Sequence, residues 1–210
     1  MLNTQKISCQ RGRQLLWSDV NLTVDPGQLL FVSGANGSGK SSLLRILAGL
    51  SSPNSGDIFW CGEKITVDTI MYRSQLLYIG HQPPLNPELN AIENLIFLTQ
   101  LHGQKVGQDQ MVSALQFWEL QGKTITLPTK HLSQGQKQRV ALAQLSLLEK
   151  KLWILDEPFN SLDSSGSNII SKQLEQHLAQ NHLAVITSHL HEKAAHIAPS
   201  LQQREIRIEF

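Results

Sequence analysis

Three observations in the sequence predict an α/β fold with a mainly parallel sheet, an antiparallel β portion and a small inserted helical subdomain. Short apolar runs bounded by turn residues alternate with amphipathic segments, the pattern of strands and helices layered on a parallel sheet. One of these runs, LLFVS, feeds directly into a glycine-rich turn that opens a helix. Between about residues 83 and 145 the periodicity becomes helical throughout, which interrupts the alternation and reads as an insertion.

In chain order, KISC, VNLTV and QLLFVSG are strand-like, the last separated from its predecessor by the turn Asp25-Pro26-Gly27. SLLRILAGL, from Ser42, carries apolar residues at helical spacing and stops at Gly49, before the breaker SSPNSG. A second β stretch, DIFWCGEKITV, follows, and then the strand LLYIGHQ. Inside the insertion, ELNAIENLIFLTQLHG and QDQMVSALQFWELQG each carry an apolar stripe and each close on a glycine. A helix opening at Ser133 and running to Leu145 completes it, and beyond it come the strand LWILDEP, the polar helix SNIISKQLEQHLAQN, the strand LAVITSH and the alternating strand REIRIEF. Residues 1–210 are expected to form one domain, since this length supports one well-buried core with at most a small appended subdomain.

Composition narrows the function classes. The chain is 40% hydrophobic and 17% charged, ordinary for a soluble globular protein and unlike collagenous or disordered sequences. A net charge of +1 provides no basic footprint for a nucleic-acid backbone, so no nucleic acid is expected as partner. Cys9 and Cys61 sit in no metal-ligand spacing and read as reduced thiols of a cytosolic protein. No apolar run approaches the ~18 residues of a membrane span, so a membrane role would need another chain to cross it.

The glycine-rich turn carries chemistry. In FVSGANGSGKSS, Gly34 and Gly39 frame four residues ahead of Lys40 and Ser41, which satisfies G-x-x-x-x-G-K-[ST] with a strand before it and a helix after it. The loop through Ala35, Asn36, Gly37 and Ser38 can turn its backbone N–H groups toward an anion, and the helix N-terminus adds its dipole there, where Ser42 also lies. Lys40 supplies a point charge to the β- and γ-phosphates and Ser41 a hydroxyl ligand for Mg²⁺, so ATP and Mg²⁺ are the expected cofactors. In LWILDEP an apolar strand ends in two acids. Asp156 is placed to hold Mg²⁺ through water, and Glu157, pointing elsewhere because side chains alternate along a strand, to polarise an attacking water.

These motifs, together with LSQGQ, SLD at Ser161 to Asp163 and the His of TSH at His189, stand in the order and spacing of an ABC-type ATPase, which the chain resembles over essentially its whole length. The LSQGQ segment is the most specific of them. The resemblance implies a homodimer packed head to tail, in which Ser133 and the Gly135 N–H, beside Gln136, donate to the γ-phosphate of a nucleotide held on the partner's phosphate loop, so that ATP is sandwiched. It departs at Gln134, where the family usually has glycine, a change expected to retune ATP affinity. It further implies that Gln82 senses Mg²⁺ and the attacking water, that Asp163 communicates across the dimer, and that His189 contacts the γ-phosphate. Where the family stacks an aromatic ring on adenine, this chain has Arg11, which either stacks its guanidinium on the base or is a solvated charge. HEKAAH, His191 to His196, fails the zinc pattern HExxH because Ala195 occupies the ligand position.

Connecting segments sharpen the resemblance. SCQRGRQLLWSDVNLTV, LLYIGHQPPLNPELNAIENLIF and KLWILDEPFNSLD are similar to the cytochrome c maturation protein A family, the haem-exporter ATPases of bacterial inner membranes. That likeness implies a peripheral protein on the cytoplasmic face, working with an integral membrane partner, the haem exporter protein B, and its associated proteins C and D. Pro83, Pro84 and Pro87 stiffen the chain between Gln82 and Phe97, and Glu88 to Asn94 are expected to present outward-facing positions to that partner. Two other readings stay open on the motifs alone: an ABC ATPase of another small exporter of lipids or drugs, and a soluble ABC protein of DNA repair or translation.

Overall fold

The structure, a computed structural model, describes residues 1–66 and 68–188 together with the backbone of residues 205–209. Strands β1 (Leu2–Arg11) and β2 (Gln14–Val24) form an antiparallel hairpin whose two-residue turn uses Gly12 at φ 59°. With β4 (Ser55–Trp60) and β5 (Glu63–Lys64) they make a four-stranded sheet in the order β2-β1-β4-β5. The segment DIFWCGEKITV is therefore not one strand. Cys61 and Gly62 both take positive φ, 52° and 87°, and turn the chain back on itself.

The second sheet has five strands in the order β6-β7-β8-β3-β9, from β3 (Leu29–Ser33), β6 (Leu76–Ile79), β7 (Leu152–Leu155), β8 (Leu183–Thr187) and β9 (Glu205–Glu209). β3 pairs in parallel with both β8 and β9, and β7 with β8. Every residue of β3, β7 and β8 is buried, as expected of parallel strands covered on both faces, and this is why they read as continuous apolar runs.

By its internal contacts the chain divides into two compact units. The first, Met1–Tyr78, Lys150–Glu157 and Leu174–Phe210, holds the strands together with α1 (Lys40–Leu47) and α2 (Ile70–Gln75). Its core joins Val24, Leu30 and Val32 to Leu43, Leu44 and Leu47 of α1 and to Ile154 and Val185. Full burial of each such side chain contributes about 1.5–3 kcal/mol. The buried Tyr72 of α2 sets its ring against Trp60 and donates its hydroxyl to the Leu47 carbonyl. The second unit, Ile79–Glu149 and Pro158–Gln173, contains α3 (Ala91–Leu101), α4 (Gln108–Phe117), the single turn α5 (Lys123–Thr126) and α6 (Gln134–Leu142). It takes in the stretch read as helical and adds residues from the far side of β7. Helix α7 (Ser164–Ala179) begins in this unit and ends in the first.

Two helices of the second unit end earlier than expected. α4 stops at Phe117 because Glu119 enters the left-handed region at φ 58°, before the glycine that the sequence suggested. The run from Ser133 breaks at Leu142 into a 3₁₀ turn over Ala143–Ser146. Among the described residues no helix is long and apolar enough to cross a membrane.

Candidate functional site

The first unit brings the phosphate loop and the acid pair to the C-terminal ends of parallel strands of one sheet, β3 and β7, which both flank β8. β3 hands the chain to the loop Gly34–Gly39, and α1 begins at Lys40, two residues earlier than helical periodicity indicates, because Gly39 caps it in a left-handed conformation at φ 103°. Only glycine fits there: a Cβ would lie 2.6 Å from Nε1 of the buried Trp17. Ala35, Asn36 and Gly37 are exposed at the crest of the loop, and Ser41 is exposed on the first turn of α1, whereas Ser42 is buried. The Ser38 Oγ is buried with no protein partner among the described residues, a donor suited to a bound oxyanion.

Lys40 is 5% exposed, and its Nζ donates to the carbonyls of Gly34 and Ala35, both at 2.9 Å. Burial lowers its pKa from the ordinary lysine value, opposed by the charges of Glu157 and then Asp156. A buried ammonium at a strand-end glycine loop, within electrostatic reach of two carboxylates, suits a triphosphate with a divalent cation, so the residues fit ATP and Mg²⁺.

Asp156 and Glu157, 3% and 7% exposed, follow β7 directly. The strand alternation expected of this pair does not apply to it. β7 ends at Leu155, and Glu157 takes φ 54°, a left-handed turn that redirects the chain. Thr187, the last residue of β8, donates its hydroxyl to Asp156 Oδ1 at 2.7 Å and accepts the N–H of Glu157 at 2.8 Å. Sequence reasoning missed Thr187. The half-buried Tyr78, near the end of β6, has its hydroxyl pKa raised by burial and by the Asp156 charge, against the opposing charge of Arg45.

In the second unit, Ser133 caps α6. Its Oγ accepts the Gln136 N–H at 3.2 Å, while the Gln136 side-chain carbonyl accepts the Ser133 N–H at 2.9 Å. This capping box uses one lone pair of the hydroxyl and leaves its proton to donate outward; the N–H groups of Gln134 and Gly135, in the first turn, have no intrahelical acceptor. Gly135 packs against the loop before α7: a Cβ would meet the Ser161 carbonyl oxygen at 2.6 Å, and Ser161 itself is held at φ 62°.

Arg139, buried on α6, fixes this arrangement. Its Nη1 donates to the Trp118 carbonyl at 2.8 Å and to Glu119 at 2.5 Å, and its Nη2 to Asp163 at 2.7 Å. Asp163 also accepts the Gly166 N–H at 2.9 Å, and that bond first, with Arg139, holds its carboxyl below the usual range. Glu119 is lowered first by the Ser165 hydroxyl and then by Arg139. Asp163, expected to communicate across a dimer, thus has partners within its own chain.

Gln82 lies exposed in the bend after β6. The loop that follows it is pinned: Asn94, 0% exposed in α3, donates to the carbonyls of Asn86, Leu89 and Asn90 and accepts the Asn86 N–H, while the Thr129 hydroxyl donates to the Asn86 carbonyl. Asn94 and Ala91 therefore face inward, because α3 packs that edge against its own loop, and the exposed positions of Glu88 to Asn94 are Glu88 and Glu93. The exposed apolar residues of this helix are Ile96, Phe97 and Leu101. Arg11 is exposed at the end of β1, beside the hairpin turn. His189, His191 and His196 lie outside the described residues.

With this geometry in view, comparison with known proteins is specific. The ABC transporter family model matches residues 17–160. A "Cytochrome c biogenesis ATP-binding export protein CcmA" of Nitrosomonas europaea is 43% identical over 90% of this chain and 88% of its own. Its namesake of Methylococcus capsulatus is 45% identical over 90% of each. Among solved structures, a dimeric ATP-binding cassette in a post-hydrolysis state bound to ADP and Pi is 25% identical, with TM-score 0.78 over 93% of this chain and 91% of that one. An ATP-binding subunit of an ABC transporter, also 25% identical, has TM-score 0.82 over 99% and 85%.

Proposed function

This chain belongs to the ABC transporter family of ATPases, alongside the cytochrome c biogenesis ATP-binding export proteins, and from that premise we propose that it binds and hydrolyses ATP for a bacterial inner-membrane complex of cytochrome c biogenesis. The observation that carries the catalytic part is the buried Lys40, held by the Gly34 and Ala35 carbonyls and within electrostatic reach of Glu157 and Asp156 in the same unit. Lys40, the loop N–H groups from Gly34 to Gly39 and the Ser38 hydroxyl neutralise the phosphates from one side. Ser41 and Asp156 would hold Mg²⁺, which Gln82 is expected from the resemblance to sense, and the ion would supply charge neutralisation to the phosphates. Glu157 orients a water in line with the γ-phosphorus and takes its proton as the water oxygen bonds to phosphorus and ADP departs. Ser133 and the Gly135 N–H of a second copy donate to the same phosphate from the other side, so that two copies sandwich ATP, with Gln136 holding the cap and Asp163 at the dimer face. Arg11 lies near the base.

The chain works as a peripheral protein at the cytoplasmic face of the inner membrane, bound to the integral haem exporter protein B with its associated proteins C and D. Its contact with that membrane partner runs from the pinned loop after Gln82 to the exposed Phe97. Residues 1–210 act as one ABC ATPase domain with the helical portion near 83–145 inserted in it.

Glu157→Gln tests the catalytic reading. It keeps shape and removes the base, so ATP still binds and drives association while turnover falls by at least about a hundredfold. Wild-type turnover in this variant would refute the role of Glu157.

A further inference from the structure

Thr187 is fully buried at the end of β8, in the TSH run of which the sequence singled out only the histidine. Its hydroxyl stands between two groups of the neighbouring strand end, Asp156 Oδ1 at 2.7 Å and the Glu157 N–H at 2.8 Å. A hydroxyl has one proton and two lone pairs, and here the polarity is forced: the N–H can only donate to it, and the ionised carboxylate can only accept from it. Both bonds are therefore made at once. The first fixes one oxygen of Asp156. The second holds the backbone of Glu157 in a left-handed conformation, φ 54°, that a non-glycine residue adopts only when its surroundings enforce it.

We propose that Thr187 is a positioning residue for hydrolysis: its single hydroxyl couples the metal-side acid to the water-activating acid and sets the distance and direction between them. This rests on the reading of Asp156 and Glu157 given above. The register places Thr187 beside this pair because β7 and β8 run in parallel, with Leu155 opposite Ile186, so that the next residues on each strand emerge together. A valine at this position would keep the branched shape and the strand preference but would leave the Glu157 N–H without this acceptor and Asp156 without this donor.

The experiment compares Thr187→Val, Thr187→Ser and Glu157→Gln in the full chain, alone and reconstituted with its membrane partner, reading kcat, KM for ATP and the Mg²⁺ concentration giving half the maximal rate. In Thr187→Val, kcat is expected to fall about tenfold to a hundredfold, the loss typical of a catalytic group misplaced by about 1 Å. KM for ATP should stay within about threefold, because the phosphate loop is untouched. The Mg²⁺ requirement should rise, and Thr187→Ser, which keeps the hydroxyl, should restore most of the rate. A Thr187→Val enzyme with wild-type kcat and Mg²⁺ dependence overturns the proposal. So does equal impairment of the serine and valine variants, which would mean that the methyl group and not the hydroxyl matters. Should the valine variant fail to fold, Thr187→Ala against Thr187→Ser isolates the hydroxyl, since both lack the methyl. If Glu157→Gln retains turnover, the catalytic reading itself fails; if it is inactive while Thr187→Val is normal, only the role of Thr187 falls.

Discussion

Acidification should destabilise this protein through one buried histidine. His177, buried near the end of α7, stacks on Trp153 with ring centroids 3.7 Å apart and an interplanar angle of 14°. Its Nε2 lies 2.9 Å from the Leu183 carbonyl, which can only accept, so the neutral ring carries its proton there. The titratable group facing it is His182, its ring 4.9 Å away. Burial, against the Leu183 hydrogen bond and with His182 adding to the shift, lowers its pKa from 6.5 to about 3. The unfolded chain therefore binds more protons between these two values. Stability is full above pH 6.5, falls as pH drops through that window, and stops falling through this group below pH 3.

From pH 7 to pH 5 the loss is about 1.4 pKa units, or about 2 kcal/mol. That figure is set by the unfolded value, since pH 5 still lies well above the folded one. Urea unfolding of wild type and His177→Gln at both pH values measures it. The variant should be less stable at pH 7, having lost the stack, but its change between pH 7 and 5 should be smaller than wild type's by about 2 kcal/mol. Equal pH dependence in the two proteins would refute a buried, neutral His177.

Two further outcomes follow from the second unit. Gly135→Ala should lower stability by about 1–3 kcal/mol and weaken ATP-driven association, because the clash with the Ser161 carbonyl outweighs the roughly 1 kcal/mol gained in helix propensity; a more stable variant with intact association would remove that contact. Arg139→Lys keeps the charge but cannot span Trp118, Glu119 and Asp163 together, so thermal and urea unfolding should show a loss of about 1–3 kcal/mol, and an unchanged variant would mean that the fork holds nothing.

What the sequence made legible was local. The phosphate loop could be read because strand, glycines, lysine and helix are consecutive, and the start of α6 because a capping box spans only Ser133 to Gln136. The antiparallel and parallel strands could be read as types, yet the placement of β3 between β8 and β9 joins segments far apart in the chain and leaves no periodic mark. Helices α2 and α5 are too short for an amphipathic stripe to show. Thr187 and Asn94 looked like ordinary polar residues of a strand and a helix. Their roles exist only once a neighbour distant in sequence supplies the partner, as Asp156 does for Thr187. Glu157 was placed correctly after β7, but the left-handed turn that redirects it was invisible, because no glycine announces it.

The indole packed against Gly39 makes the phosphate loop optically addressable. Trp17 lies with its Nε1 3.5 Å from the Gly39 carbonyl, and the chain's other tryptophans have different neighbours: Trp60 beside Tyr72, Trp118 beside Ser146, and Trp153 against His177. A chain keeping Trp17 alone, with phenylalanine at the other three positions, would carry its emission beside the glycine that caps the phosphate-loop helix. Quenching or spectral displacement on mixing with nucleotide would then time its arrival at the loop, and stopped-flow traces at several protein concentrations would separate that step from any association of copies.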